Sequence, residues 1–170
     1  MIIKDSSYSL LQQITLALVR FLAGWHLFYQ GLGKLRETDW SAKGYLSSAS
    51  GWFGTSFQQI ADWPAVLNLI DFLVVWGLLL TGFLLMIGLF SRSAATIGFV
   101  LVFLFFLAAP PVPVMGFIIS GPEGFEFLVN KTLIEALLLL VIAVFPAGQV
   151  TGLDILISNW REKRQSIFSP

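Results

Sequence analysis

Arg20 and Glu135 stand inside long apolar stretches of the chain, where an ionised side chain at the centre of a bilayer costs about 2.5–3.5 kcal/mol on insertion scales. Charges kept at that cost point to a buried pair, an anion contact or a proton path. At 1.5 Å of rise per helical residue, Arg20 lies about 15 Å beyond Leu10 and Glu135 about 16 Å short of Pro146. Similar depth follows, and with it a predicted hydrogen-bonded Arg20–Glu135 pair between the first and last apolar segments. Lys131, one helical turn from Glu135, is the competing partner. The pair either only fixes helix register or takes part in binding anions and moving protons.

On a helix, Arg20, Gly24, Gly31 and Lys34 fall at relative angles of about 0°, 40°, 20° and 320°, so they share one face. The glycines let another backbone come close, which makes this the expected packing face, with Lys34 reaching the polar surface. His26 and Gln30 lie one turn apart on a different face and could donate hydrogen bonds to a quinone headgroup. Asp71 is expected within reach of Lys34, with helix capping or hydration as the simpler explanation.

The elements that hold these residues follow from composition. Of 170 residues, 56% are hydrophobic and 12% charged, against roughly 25% charged in soluble domains. Lipid is the matching solvent, and the expected fold is an all-α integral membrane protein, a four-transmembrane-helix bundle occupying residues 1–170 as one domain. The expected spans are 10–34, 64–90, 93–109 and 127–145, with an amphipathic tail at 152–168 carrying Trp160, Arg161, Lys163 and Arg164. Pro64 suits a first helical turn, Ser91-Arg92-Ser93 a tight polar link, and Pro110, Pro111 and Pro113, then Pro146 with Gly148, suit span ends. The stretch from Arg36 to Trp63 is the long loop. Its Trp40, Tyr45, Trp52 and Trp63 suit a membrane interface, where a short half-buried helix is expected.

Ten Lys and Arg balance ten Asp and Glu, so no basic field exists to hold nucleic acid. Cysteine is absent and histidine occurs once, which removes thiol redox steps, Fe–S ligation, bis-histidine haem and a multi-His metal site on this chain. No metal or haem is expected. Lys and Arg in the loops weakly favour both termini on the cytoplasmic side of a prokaryotic inner membrane, in a multi-pass arrangement. The apolar N-terminal run has no cleavage pattern and is expected to be retained as a span.

The run from Arg20 to Leu35, RFLAGWHLFYQGLGKL, resembles the opening motif of the DoxX/DoxD superfamily. Gly88-Leu89-Phe90-Ser91-Arg92-Ser93 resembles its second-helix ending, and Asn130-Lys131 to Glu135, followed by Gly148 to Asp154, its last segment. Length and loop pattern are closest to the DoxD-like small subunit of thiosulfate:quinone oxidoreductase. The resemblance implies oxidation of thiosulfate to tetrathionate, electrons passed to membrane quinone, and a second subunit. It makes Arg20 and Lys34 the expected substrate-binding residues for a sulfur dianion and His26 and Glu135 the expected catalytic residues, His26 as proton donor and Glu135 as the partner of Arg20. The alternative is a non-enzymatic membrane scaffold or assembly partner of a redox or envelope complex, gripping another membrane or envelope protein through the loop around Trp52. A small-solute or proton transporter comes third, since four helices are few for transport unless the chain forms a homo-oligomer and no span is broken midway.

Overall fold

The computed structural model describes residues 8–50, 52–111, 120–121, 124–125, 129–145 and 154. Among them the chain is helical, in the order α1 (Leu10–Arg36), α2 (Lys43–Ser47), α3 (Gly54–Ala61), α4 (Pro64–Ile87), α5 (Ser91–Ala108) and α6 (Lys131–Val144). A two-residue antiparallel ladder, β1 (Ser120–Gly121) with β2 (Gly124–Phe125), lies between α5 and α6. The expected tail at 152–168 lies outside the described residues apart from Asp154, as do Pro113, Pro146, Gly148 and residues 127–128.

Each long helix starts or stops for a local reason. Ser9 and Gln12 form a reciprocal capping box at the start of α1, with Gln12 Oε1 accepting from the Ser9 amide at 2.8 Å. Lys34 and Arg36 occupy its last turn, where cations offset the exposed carbonyls. Pro64 opens α4, where its missing N–H has no intrahelical partner to lose. Gly88 closes α4 in the left-handed region at φ 70°, and the amides of Gly88 and Leu89 bond back to Leu85 and Leu84 in a Schellman arrangement. The side chain of Asn130 accepts from the Leu133 amide and so caps α6.

Two boundaries differ from the sequence expectation. The tight link between α4 and α5 is Gly88-Leu89-Phe90, and Ser91 already begins α5. An αL glycine ends the helix more decisively than the polar serines that follow it. The long loop folds into α2 and α3 where one short helix was expected. These two build a small apolar cluster of Ala42, Leu46, Ala61 and Leu67, onto which Trp40 packs from the main core.

The main core runs between α1, α4, α5 and α6, with Leu27, Leu78, Leu85, Leu139 and Ile142 fully buried. Outside it, each of these helices presents large apolar side chains, such as Leu22 and Trp25 on α1, Phe72 and Leu80 on α4, Ile97 on α5 and Ile134 on α6. Water would penalise such a surface, whereas acyl chains match it. Two of the helices, α4 and α5, are long and apolar enough to cross a membrane. Gln12, Gln13, Arg20, His26 and Gln30 dilute α1, and the described part of α6 is 14 residues.

The tightest approach is between α1 and α4, which run antiparallel. A Cβ on Gly24 would stand 2.8 Å from the Gly82 carbonyl oxygen, and one on Gly82 would stand 2.7 Å from the Gly24 carbonyl oxygen. Seven residues along α1, Gly31 meets Leu78 and Leu79 in the same way. At Gly24 and Gly82 the nearest neighbour is backbone, which cannot swing aside as a side-chain tip can, and at Gly31 it is the backbone nitrogen and side chain of Leu79. Gly33, by contrast, faces open space. Replacing Gly82 by Ala is expected to cost about 1–3 kcal/mol through forced separation of the helices. Gly33→Ala should be neutral or stabilise by up to about 1 kcal/mol. Thermal unfolding of the detergent-solubilised variants measures both; equal melting temperatures would contradict the close crossing.

Candidate functional site

The α1–α4 contacts fix the level of every polar residue on α1. Gly31 lies beside Leu78 and Leu79, and Gly24 beside Gly82, Leu85 and Met86. One further turn toward the N-terminus therefore brings Arg20 level with the end of α4 and the Gly88–Phe90 turn. There the carboxylate of Asp154 is the opposite charge that acts on Arg20. Arg20 itself is buried, at 5% exposure.

Asp154 does more than face Arg20. Its two carboxylate oxygens accept from the Phe90 amide at 2.7 Å and the Ser91 amide at 3.1 Å, and its own amide donates to the Gly88 carbonyl at 3.0 Å. Phe90 sits in the left-handed region at φ 49°, which costs a side-chain-bearing residue about 1–2 kcal/mol. A carboxylate at the start of α5 satisfies orphan amides, offsets that strain and complements the helix dipole. This end of the bundle is thus a structural clasp made from three separate stretches of the chain.

The other end holds a cavity of about 450 Å³. His26, Gln30 and Lys34 enter it from successive turns of α1, and Lys131, Thr132 and Glu135 from the first turns of α6. His26 Nε2 stands 3.5 Å from Glu135 Oε2. The other carboxylate oxygen of Glu135 is buried and accepts no hydrogen bond from the described residues. Leu27, Leu78, Val102 and Phe105 form the apolar wall.

The long loop roofs this cavity. Lys34 Nζ lies 5.3 Å from the centre of the Trp40 ring, a cation–π contact. Asp71 Oδ1 accepts from the Ala42 amide at 2.7 Å, and the Tyr45 hydroxyl donates to the Phe105 carbonyl at 2.6 Å. The Ser50 amide bonds to the Ala108 carbonyl at the end of α5. Trp40, Ser41, Ala42 and Tyr45 consequently line the cavity on a backbone tied to both α4 and α5.

Of the residues singled out from sequence, His26, Lys34 and Glu135 come together in the cavity and Arg20 does not. Glu135 stands beside His26 instead of Arg20, and the opposite charge that acts on Arg20 is Asp154. The depth estimate failed because helical rise fixes spacing along one helix and not the level at which α1 and α6 meet: His26, not Arg20, comes opposite Glu135. Arg20 and Lys34 share a helix face yet lie about 21 Å apart along it, so one small anion cannot touch both. Asp71 serves the loop backbone, in keeping with the capping alternative. Tyr45 was expected only as an interfacial ring and Asp154 entered only through the resemblance; Lys131 had been visible as the i−4 neighbour of Glu135.

Among the described residues no group of three or more His, Cys, Asp or Glu side chains could hold a metal ion. Comparison of the chain with family models, curated proteins and solved structures finds no match.

The pairing scheme makes a prediction for double-mutant cycles. His26→Leu with Glu135→Leu, and Arg20→Leu with Asp154→Leu, should each show a coupling of about 0.5–3 kcal/mol. Arg20→Leu with Glu135→Leu should be additive within about 0.5 kcal/mol. Denaturant titration of the solubilised protein reads all three, and strong Arg20–Glu135 coupling would restore the original pair.

Proposed function

We propose that this chain is a membrane subunit of a quinone-linked sulfur oxidoreductase, in which thiosulfate is oxidised to tetrathionate and the electrons pass to membrane quinone. The observation that carries the reading is the cavity: a His26–Glu135 pair against an apolar wall, between helices whose outer faces are also apolar. Proton-handling groups beside apolar surface suit a reaction partner that arrives from lipid. The resemblance of RFLAGWHLFYQGLGKL and of the segments around Gly88 and Asn130 to DoxX/DoxD proteins supports the same class.

In this reading α1 and α6 cross the membrane with α4 and α5, both termini face the cytoplasm, and the cavity opens toward the outer side of a prokaryotic inner membrane. Two thiosulfate ions lose one electron each as their sulfurs join, and quinone takes the two electrons with two protons. His26 and Glu135 handle protons at the cavity. Lys34 and Lys131 give the loop end positive charge, which draws anions toward it or toward a second subunit seated there. Arg20, outside the cavity lining and with Asp154 as the opposite charge that acts on it, takes a structural part in this reading.

One observation favours the non-enzymatic alternative. Trp52 and Trp63 are 75% and 65% exposed on the loop, as anchors for another protein would be. The same rings also suit the headgroup layer, so the enzymatic reading is preferred.

Thiosulfate-dependent quinone reduction in native membranes separates the two. Activity should vanish on deletion of the gene and return with the wild-type chain. With His26→Leu at matched protein level it should stay about 100-fold lower, the scale of a lost proton-transfer group. Membranes that behave alike in all three cases would remove the oxidoreductase reading and leave the scaffold.

A further inference from the structure

Glu135 presents an unusual demand. One carboxylate oxygen faces His26, while the other is buried and accepts nothing from the described residues. A buried acceptor is costly unless a donor completes it. Other polar groups around the cavity, Lys34 and the Gln30 amide among them, carry N–H donors from which a ligand can accept. The ligand that fits must therefore both donate and accept.

Thiosulfate has no hydrogen to donate, and the charge of Glu135 opposes it. A bare oxoanion also leaves most of a 450 Å³ cavity unfilled, whereas sites of about 300–1,000 Å³ suit larger organic ligands. The apolar wall of Leu27, Leu78, Val102 and Phe105 has nothing to offer an inorganic dianion.

We propose that the cavity binds the headgroup of a membrane quinone in both redox forms, and that the sulfur anion is bound outside it. This deepens the quinone-linked reading and rests on it. A hydroxyl of the quinol donates to the open oxygen of Glu135. The carbonyls of the quinone accept from His26 and Gln30, which lie one turn, about 5.4 Å, apart along α1. Reduction places two electrons from the joining thiosulfate sulfurs on the ring. One proton reaches each ring oxygen through the cavity's polar groups, and both are replaced from water.

The test uses the full chain in lipid nanodiscs. A short-tailed photoreactive azidoquinone is crosslinked and mapped by peptide mass spectrometry, with and without excess thiosulfate, and binding of a short-tailed quinone and its quinol is measured for wild type and Glu135→Gln. Label on the His26–Lys34 and Lys131–Glu135 peptides that persists in thiosulfate is expected. Glu135→Gln should weaken the quinol about tenfold, because a charge-assisted bond becomes a neutral one, and leave the quinone within about twofold. Label outside these peptides, displacement by thiosulfate, or equal weakening of both forms overturns the assignment. If Glu135→Gln does not fold, the wild-type label map and its response to thiosulfate decide alone. Membranes that lose thiosulfate-dependent activity on deletion while the label misses the cavity would sink this assignment and spare the enzyme class. Label in the cavity without such activity would spare the assignment and sink the sulfur substrate.

Discussion

The approach of α1 to α4 is the constraint on which the rest of the bundle depends. Helices in lipid gain little from hiding apolar surface, since the acyl chains are as apolar as leucine, so close packing and polar contacts must hold them together. Gly24 and Gly82 touch backbone to backbone, and further along α1 Gly31 packs closely against Leu78 and Leu79. With that register set, Leu27 is carried inward to Gly98 of α5, which in turn lies against Leu139 of α6. One layer of small and large residues thereby joins all four long helices. His26, Gln30 and Lys34 then have no freedom of depth; they open into the cavity because the glycines hold α1 where it is.

At the opposite end the clasp around Asp154 solves a different problem. The turn from α4 to α5 is only three residues, Gly88 to Phe90, and leaves the first amides of α5 without intrahelical partners. Gly88 and Phe90 both adopt left-handed backbone to make the turn. A carboxylate arriving from a distant part of the chain satisfies two of those amides and carries a charge that Arg20 answers. Asp154 spends its oxygens on these backbone amides, which uses the hydrogen-bonding capacity of its charge. The turn, α1 and the Asp154 segment are consequently fastened at one point.

Much of this was legible in the sequence, and the gaps have physical causes. Helix existence followed from length and hydropathy, and the start of α4 from Pro64, because a proline at a helix start has one reading. The packing role of Gly24 and Gly31 followed from their shared face. Pairing did not follow, because helical periodicity gives angle and says nothing of absolute height; a common level for Arg20 and Glu135 required knowing where each helix meets its neighbours. Asp154 was beyond reach for the same reason: it lies far along the chain from the amides it caps, and no local pattern marks such a contact. His26 and Glu135 were each noticed singly, while their meeting depended on α1 and α6 running antiparallel at a register that only packing sets.

The separation of Arg20 from the cavity changes how the polar residues of α1 divide their work. Arg20, with Asp154 as the opposite charge that acts on it, is not among the cavity's lining residues, which begin on α1 at His26, under two helical turns away. The groups around the cavity are held differently: Lys34 over Trp40, and the roof tied to α4 by Asp71 and to α5 by Tyr45. These ties fix the walls without using up the polar atoms that face inward, and Glu135 keeps one oxygen open. Asp154 is engaged through both carboxylate oxygens at one end of the bundle, while Glu135 beside the cavity at the other keeps one oxygen open, and only the second arrangement calls for a further donor.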